Sequence, residues 1–234
     1  MAITTTDPAL LRLFQLVSPA LPVGAFSYSE GLEVLQQAGQ LADGAAVLQW
    51  LQAELQWGGI RLETAAISTL TALIQRWRAG DGEAEAPLRE LDGWLLAQRE
   101  APELRAQQRQ MAQSLLLLLA DLEGPLLPPP LPAPTGLAWP AAFAWAGVTL
   151  ALASPQLEQA YLYGWTANQL SAAVRLVPLG PTEGQRLQLA LSDLIAERAV
   201  ALAAADARSL WSAGVGAGLA QLQHAELYSR LFRS

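Results

Sequence analysis

The 234-residue sequence contains no cysteine, no lysine and a single histidine, His224. Without cysteine there is no thiolate nucleophile, no disulfide and no thiolate metal site, and one histidine cannot form a site built from several imidazoles. Without lysine the chain lacks the residue that phosphate-binding loops and Schiff-base enzymes use. These absences favour a protein that binds other molecules over an enzyme, and they predict neither a cofactor nor a metal site of its own.

Charge is also scarce, since charged residues make up 15% of the chain and hydrophobic residues 52%. An average domain has roughly 25% charged residues. A surface with so little polar cover is typical of proteins with large partner interfaces. The net charge of -7 disfavours nucleic acid as a partner, because neutralising phosphates requires a basic face. The lack of cysteine and of a basic-then-apolar leader predicts a cytoplasmic protein.

One apolar stretch, Leu137–Ala153, is a candidate for a membrane-spanning helix. A span needs about 20 apolar residues and usually has basic anchors. This stretch is shorter, carries Pro140 near its start and has no lysine or arginine beside it. It therefore predicts a buried core helix and no membrane attachment.

Helical signals recur along the chain, and no alternating strand pattern persists. Asp43 is positioned to cap a helix that ends at Trp57, and Gly58-Gly59 separates that helix from the next. Further helices are predicted over Ile60–Arg78, Pro102–Leu122, Ala138–Ala153 and Pro155–Val174, the last two forming an apolar hairpin in the core.

Two capping-box spacings predict helix starts elsewhere. Ser27 and Glu30 predict a helix to Ala38, and Thr182 and Gln185 predict a long helix to about Trp211. Glycines 214, 216 and 218 then predict a break before a last amphipathic helix from Leu219 to Phe232. We predict one all-α domain over residues 1–234, a bundle of about ten helices, with a proline-rich linker at 124–136 and a docking tail at 219–234.

Few side chains are arranged for catalysis. Glu30 and Glu33 are predicted on one helix face without a base partner, which disfavours general acid–base chemistry. The aspartates are too far apart in sequence to chelate magnesium on one helix face. His224 is predicted to be exposed on a terminal helix, and a metal-ligand role is kept only for a site that a partner or second copy completes.

Two segments are predicted to mediate binding. The loop Ser18–Phe26 contains prolines and apolar side chains, so we expect it to be partly buried and, with the acidic helix after it, to form a dimer face or a partner face. In the tail, Tyr228, Arg230 and Phe232 are residue types typical of interface anchors. Helical spacing would align Leu227 with Leu231.

Three segments resemble the UreF family of urease accessory proteins. The first is Leu16–Leu32, with Ser-Pro-Ala-Leu-Pro-Val-Gly-Ala-Phe-Ser-Tyr-Ser-Glu-Gly at its centre. The second is Ala160–Trp165 with Ser171–Gly180 and Gly184-Gln185, and the third is Tyr228–Ser234, Tyr-Ser-Arg-Leu-Phe-Arg-Ser. These segments span nearly the whole chain in the order that the family has them.

The resemblance implies an all-α, non-catalytic and dimeric maturation factor. Members of the family bind the accessory protein UreD, also called UreH, and recruit the GTPase UreG to load nickel into apo-urease. In and next to these segments we expect partner-binding residues, which are Phe26, Glu30, Glu33, Arg175, Gln185, Tyr228, Arg230, Leu231, Phe232 and Arg233.

Two positions depart from the family pattern. Pro181 stands where the family more often has Gln, and Ala225 stands where an acid usually follows the histidine. Two other functions remain open: a soluble all-α enzyme or binding protein for an apolar ligand, and a membrane-attached helical protein.

Overall fold

The computed structural model describes residues 8–123, without the Glu123 side chain, and residues 136–234. This part of the chain contains eleven α-helices and no strand, which confirms the all-α prediction. The predicted linker 124–136 lies outside the described residues except for Gly136. The helices are α1 Pro8–Leu16, α2 Leu32–Gln37, α3 Gly44–Trp57, α4 Ile60–Arg78, α5 Glu85–Ala97, α6 Pro102–Glu123, α7 Trp139–Thr149, α8 Gln156–Leu176, α9 Pro181–Ala190, α10 Ser192–Ala203 and α11 Val215–Gln223.

The helix starts with strong local signals lie where the sequence predicts them. The Asp43 side chain accepts a hydrogen bond from the backbone N–H of Ala46 at 2.9 Å, so it caps α3. Helix α3 ends at Trp57 and α4 begins at Ile60, on either side of the glycine pair. A satisfied cap and a glycine break are local features, which is why sequence alone defines these helices.

Helix α4 is the centre of the bundle and packs against α3, α5, α7, α8 and α10. Its buried side chains join one apolar cluster that extends from Leu16 near the start of the described chain to Phe232 near its end. The ring of Trp77 in α4 meets that of Trp145 in α7 edge-on, with centroids 5.7 Å apart. Such edge-to-face contacts add to the energy of burial.

The predicted apolar hairpin is present as α7 and α8. Every residue from Pro140 to Gly147 is buried. Gly147 permits the close approach of α8, because a Cβ at this position would lie 2.3 Å from Leu157 Cδ2. None of the helices in the two described ranges combines the length and apolar character that crossing a membrane requires.

The first predicted capping box is wrong. Glu30 and Gly31 have φ angles of 52° and 94°, a left-handed backbone that ends any helix, so α2 begins only at Leu32. Glu30 therefore precedes the helix that was predicted to contain it. Its carboxylate accepts hydrogen bonds from side chains of α6 and α8 instead of capping its own helix.

The C-terminal third is more segmented than predicted. Pro181 is the first residue of α9, so Thr182 lies inside that helix, and α10 ends at Ala203 rather than near Trp211. Helix α11 includes Gly216 and Gly218 and ends at Gln223. The predicted terminal helix to Phe232 is absent because residues 227–234 form their hydrogen bonds with the body of the protein.

Candidate partner-binding site around the C-terminal tail

The docked tail, residues 227–234, lies against the chain segment that leads into α2. The main-chain oxygen of Ser234 accepts hydrogen bonds from the backbone N–H groups of Ser29 at 2.7 Å and Glu30 at 3.1 Å. The Ser29 hydroxyl donates to the same oxygen at 2.6 Å. The left-handed turn at Glu30 and Gly31 thus places two N–H groups where they bind the end of the docked tail.

Glu33 holds the middle of the docked tail. Its buried carboxylate accepts the backbone N–H of Leu231 at 2.7 Å and that of Phe232 at 3.0 Å. A carboxylate that accepts two backbone N–H groups forms charge-assisted bonds, which are roughly twice as strong as neutral ones. Glu33 thus fixes the course of the tail backbone.

Phe232 anchors the docked tail in the core, where it is only 5% exposed. The Arg175 guanidinium carbon lies 4.4 Å from the centroid of the Phe232 ring, and the same guanidinium donates to the Phe26 carbonyl at 3.0 Å. A cation over an aromatic face is a favourable contact. The predicted binding residues Phe232, Arg175 and Phe26 are therefore neighbours, but here they serve to hold the chain's own tail.

The other predicted anchors lie at the surface. Tyr228 is fully exposed, and Leu231 and the Phe26 side chain are also exposed. Arg230 donates to Glu103 of α6 at 2.7 Å while remaining at the surface. Arg233 is an exposed residue whose backbone N–H donates to the carbonyl of Ser27. The docked tail therefore has one inward anchor and a row of outward side chains.

The prediction that His224 is exposed is wrong. His224 is fully buried between α2 and α6, with Nδ1 2.9 Å from Glu103 Oε2 and Nε2 3.4 Å from Glu33 Oε2. No local pattern signals this position, because its partners lie 121 and 191 residues away in sequence. Only the fold brings the three side chains together.

Gln107 connects the docked tail to a buried cluster of polar side chains. Its amide oxygen accepts from the Ser234 hydroxyl at 2.7 Å, and its amide nitrogen donates to Glu30 at 2.8 Å. Glu30 also accepts from the Trp165 indole at 3.2 Å and lies 3.9 Å from the Arg99 guanidinium. Glu30 thus belongs to an internal network rather than to an exposed helix face.

Arg99 and Glu63 form the centre of this cluster, with nitrogen and oxygen 2.6 Å apart. Glu63 also accepts from the Tyr161 hydroxyl at 2.7 Å and from the Gln108 amide at 3.1 Å. Burial alone would lower the pKa of Arg99, but the carboxylates of Glu63 and Glu30 raise it above its ordinary value. Burial and the Glu63 charge raise the pKa of Tyr161 well above its usual range. Arg99 therefore stays charged and Tyr161 stays protonated.

A cavity of about 450 Å³ opens above this cluster, between the N-terminal loop, α6, α8 and α9. Arg99 and Glu63 line its floor, and Phe26, Tyr163 and the exposed Gln185 line its walls. The loop Ser18–Phe26 forms one side of the cavity and is partly buried, as predicted, although Phe26 itself is exposed.

The geometry is suited to recognition. Within residues 8–123 and 136–234 there is no group of three or more His, Cys, Asp or Glu side chains that could hold a metal ion. The carboxylates of Glu30, Glu33 and Glu63 all accept hydrogen bonds from fixed internal donors. The sequence identified Glu30 and Glu33 but missed Glu63 and Glu103, which have no motif of their own. It also missed the role of Tyr161, although this residue lies in the matching segment Ala160–Trp165.

The family model and the known proteins that match this chain belong to the same family. The UreF family model matches residues 41–192. The chain is 40% identical over 233 residues to the urease accessory protein UreF of Alkalilimnicola ehrlichii, covering 99% of both chains. It is 41% identical over 232 residues to the urease accessory protein UreF of Thermosynechococcus vestitus, covering 98% of this chain and 99% of the relative. It is 37% identical to the protein of the same name from a Synechocystis strain, over 97% and 98% of the two chains.

Proposed function

The chain belongs to the UreF family of urease accessory proteins, and from this premise we propose that it is a scaffold in urease maturation. It bridges UreD (UreH) and the GTPase UreG, so that nickel is loaded into apo-urease as cargo. The whole chain acts as one domain in the cytoplasm and has no catalytic activity of its own. The names of its relatives, which are accessory proteins, and the continuous core from Leu16 to Phe232 support this proposal.

The observation that carries the proposal is that some residues of the docked tail fix its backbone while others are exposed to solvent. Its backbone is fixed by Glu33 and Phe232, while Tyr228 and Leu231 are exposed beside Arg230. A fixed backbone reduces the entropy that ordering on binding would cost. Aromatic and arginine side chains are common energetic centres of interfaces. We infer that this outward row is the anchor for UreD.

Co-purification with UreD and UreG tests this role. We expect Tyr228→Ala and Leu231→Ala to reduce recovery of UreD strongly, and with it recovery of UreG and activation of urease, while the melting temperature stays near that of the parent. The matched control for Leu231→Ala is Leu189→Ala, which truncates another exposed leucine, on α9. Full UreD recovery by both tail variants would contradict the proposal.

We also propose that the chain forms a homodimer through a second face of the molecule. Phe26 is 68% exposed at the mouth of the cavity, and Tyr163 is an exposed aromatic in its lining. Large apolar side chains exposed around a concave surface are typical of protein interfaces. Gln185 also lines this cavity, and Arg175 lies beside its mouth, where it donates to the Phe26 carbonyl.

Light scattering tests the dimer. We expect Phe26→Arg to shift the molar mass toward that of a monomer, because a charge at the centre of an apolar contact is costly to bury. Val200→Arg, which introduces the same charge at an exposed apolar position of α10, should leave the mass unchanged. An unchanged mass in both variants would show that Phe26 is not part of the dimer face.

A further inference from the structure

His224 is the sole histidine of the chain and sits in the short turn His224–Glu226 between α11 and the docked tail. Its ring is fully buried, and a different carboxylate faces each nitrogen. Glu103 of α6 is 2.9 Å from Nδ1, and Glu33 of α2 is 3.4 Å from Nε2.

Each of these carboxylates also binds the docked tail. Glu33 accepts the backbone N–H groups of Leu231 and Phe232, and Glu103 accepts the guanidinium of Arg230. The ring of His224 therefore joins the two groups that hold the tail in place. Any change in the charge of the ring acts on both at once.

The protonation state of the ring decides whether this arrangement is satisfied. A neutral imidazole has one N–H, so one of its nitrogens would direct a lone pair at a carboxylate, whereas an imidazolium donates to both. The charged groups against the ring are Glu33 on α2 and Glu103 on α6, and Arg230 in the tail pairs with Glu103. With a protonated ring, two negative charges meet two positive ones, and loss of the proton leaves one negative charge in excess.

We propose that His224, Glu33 and Glu103 form a proton-operated clasp that closes the docked tail onto the body of the protein. The protonated ring closes the clasp, and loss of the proton opens it. If the clasp operates in this way, docking tightens as the pH falls and weakens as it rises.

The clasp adds a means of regulation to the proposed function. Only its biological use rests on that function. The outward anchors Tyr228 and Leu231 belong to the same short segment, so the state of the clasp sets how they are presented to a partner. A compartment or complex that changes the proton activity near the tail then changes binding of that partner.

The isolated full-length chain provides a direct test by nuclear magnetic resonance. Labelling with ¹⁵N-histidine gives one imidazole, and its two nitrogen shifts report separately whether Nδ1 and Nε2 carry protons. We expect both nitrogens to be protonated while the amide signals of Leu231 and Phe232 show a hydrogen-bonded tail. As the pH is raised, the imidazole and the two amides should change together. A neutral ring with an unchanged docked tail across the titration would overturn the clasp.

Two variants separate the clasp from a general loss of structure. Glu103→Gln removes one of the two carboxylates that face the ring and should change the pH dependence of the imidazole signals, because a nearby negative charge favours the protonated ring. Glu226→Gln, at an exposed acid two residues from the ring, is the matched control and should leave the titration unchanged. Equal titrations in the two variants would contradict the proposal.

His224→Gln keeps a polar side chain that does not titrate. In this variant the amides of Leu231 and Phe232 should lose the pH dependence that they show in the parent, while other amide signals are retained. Persistence of the parental pH dependence would overturn the clasp. UreD recovery by the parent protein, at one pH below and one pH above the change seen in the spectra, tests its use separately: a clasp seen in the spectra without pH-dependent recovery would refute the link to the proposed function alone.

Discussion

Glu54 is a half-buried carboxylic acid on α3, near the charges of Arg99 and Glu30. Burial raises its pKa to about 7, although the nearby charge of Arg99 opposes the shift. The carboxylate lies against Gly58 and Gly214, at the point where the chain entering α11 crosses the end of α3. A buried carboxyl of this kind is most favourable when it is protonated.

The pKa of Glu54 predicts a pH dependence of stability. The folded-state value is raised above the unfolded value of 4.5, so the stabilising contribution is complete below about pH 4.5 and is lost as the pH rises through about 7. We expect Glu54→Gln, which keeps the shape and cannot ionise, to raise the free energy of unfolding at pH 8 by about 1–3 kcal/mol. Its advantage should shrink toward pH 5, as measured by urea denaturation across this range.

The matched control for Glu54 is the exposed Glu226. The change Glu226→Gln removes the same charge from the surface, so its effect on the free energy of unfolding should stay within about 0.5 kcal/mol. If Glu54→Gln and Glu226→Gln gave the same dependence of the unfolding free energy on pH, the titration near pH 7 would belong to another group. Asp92 is the nearest candidate, because burial raises its pKa to about 6.

At the scale of helices, the sequence predicts what local bonds determine. Asp43 caps α3 through a neighbour three residues away, and the glycine pair at 58 and 59 ends it, so the bounds of α3 and α4 follow from the sequence. The same logic failed for Glu30, because its side chain binds Gln107 and Trp165, 77 and 135 residues away. The predicted helix in the tail is absent for the same reason, because the tail backbone binds Glu33, which is distant in sequence. A capping pattern specifies a helix only where no distant partner competes for the same carboxylate.

The candidate site, too, was predictable from the sequence only in part. The residue types of the tail suggested binding, and Phe232 and Arg175 are indeed brought together. Sequence could not assign Phe232 inward and Tyr228 outward, because the tail was predicted as a helix and its real course is set by Glu33. His224 was missed because its burial depends on two carboxylates that lie far from it in sequence.

Gly31 links the geometry of α2 to that of α11. It has a φ of +94°, and a Cβ there would lie 3.1 Å from Ala220 Cβ and 3.2 Å from the Gln221 backbone nitrogen. We expect Gly31→Ala to lower the free energy of unfolding by roughly 2–4 kcal/mol, through backbone strain and displacement of α11. Thermal and urea unfolding measure the loss, and the amide signals of Leu231 and Phe232 report whether the tail moves.

Gly80 provides the control for backbone strain. Its φ is +93°, and nothing lies within 4 Å of a Cβ built on it. Gly80→Ala therefore has the same conformational cost without the contact, about 1 kcal/mol or slightly more. The difference between the two variants measures the packing of α11 on Gly31. Equal losses would mean that α11 adjusts freely and does not constrain the tail.

At the scale of the whole molecule, the docked tail closes the structure by joining its last residues to Ser29, Glu33 and Gln107. Truncation after Glu226 removes the buried Phe232 ring and the partners of these groups. We expect the helical circular dichroism signal to remain, because the eleven helices precede the cut, while the free energy of unfolding falls by about 2–5 kcal/mol. The truncated chain should also fail to recover UreD.

A double-mutant cycle shows whether the loss comes from the bonds that the structure describes. In the full chain Glu33→Gln should lower the free energy of unfolding by about 1–3 kcal/mol, because two backbone N–H groups lose their charged acceptor. In the truncated chain those donors are already absent, so the same substitution should cost much less. The coupling is the difference between the two costs, measured by urea denaturation at one pH. Equal costs in both chains would show that Glu33 stabilises the body without holding the tail, and that Phe232 alone docks it.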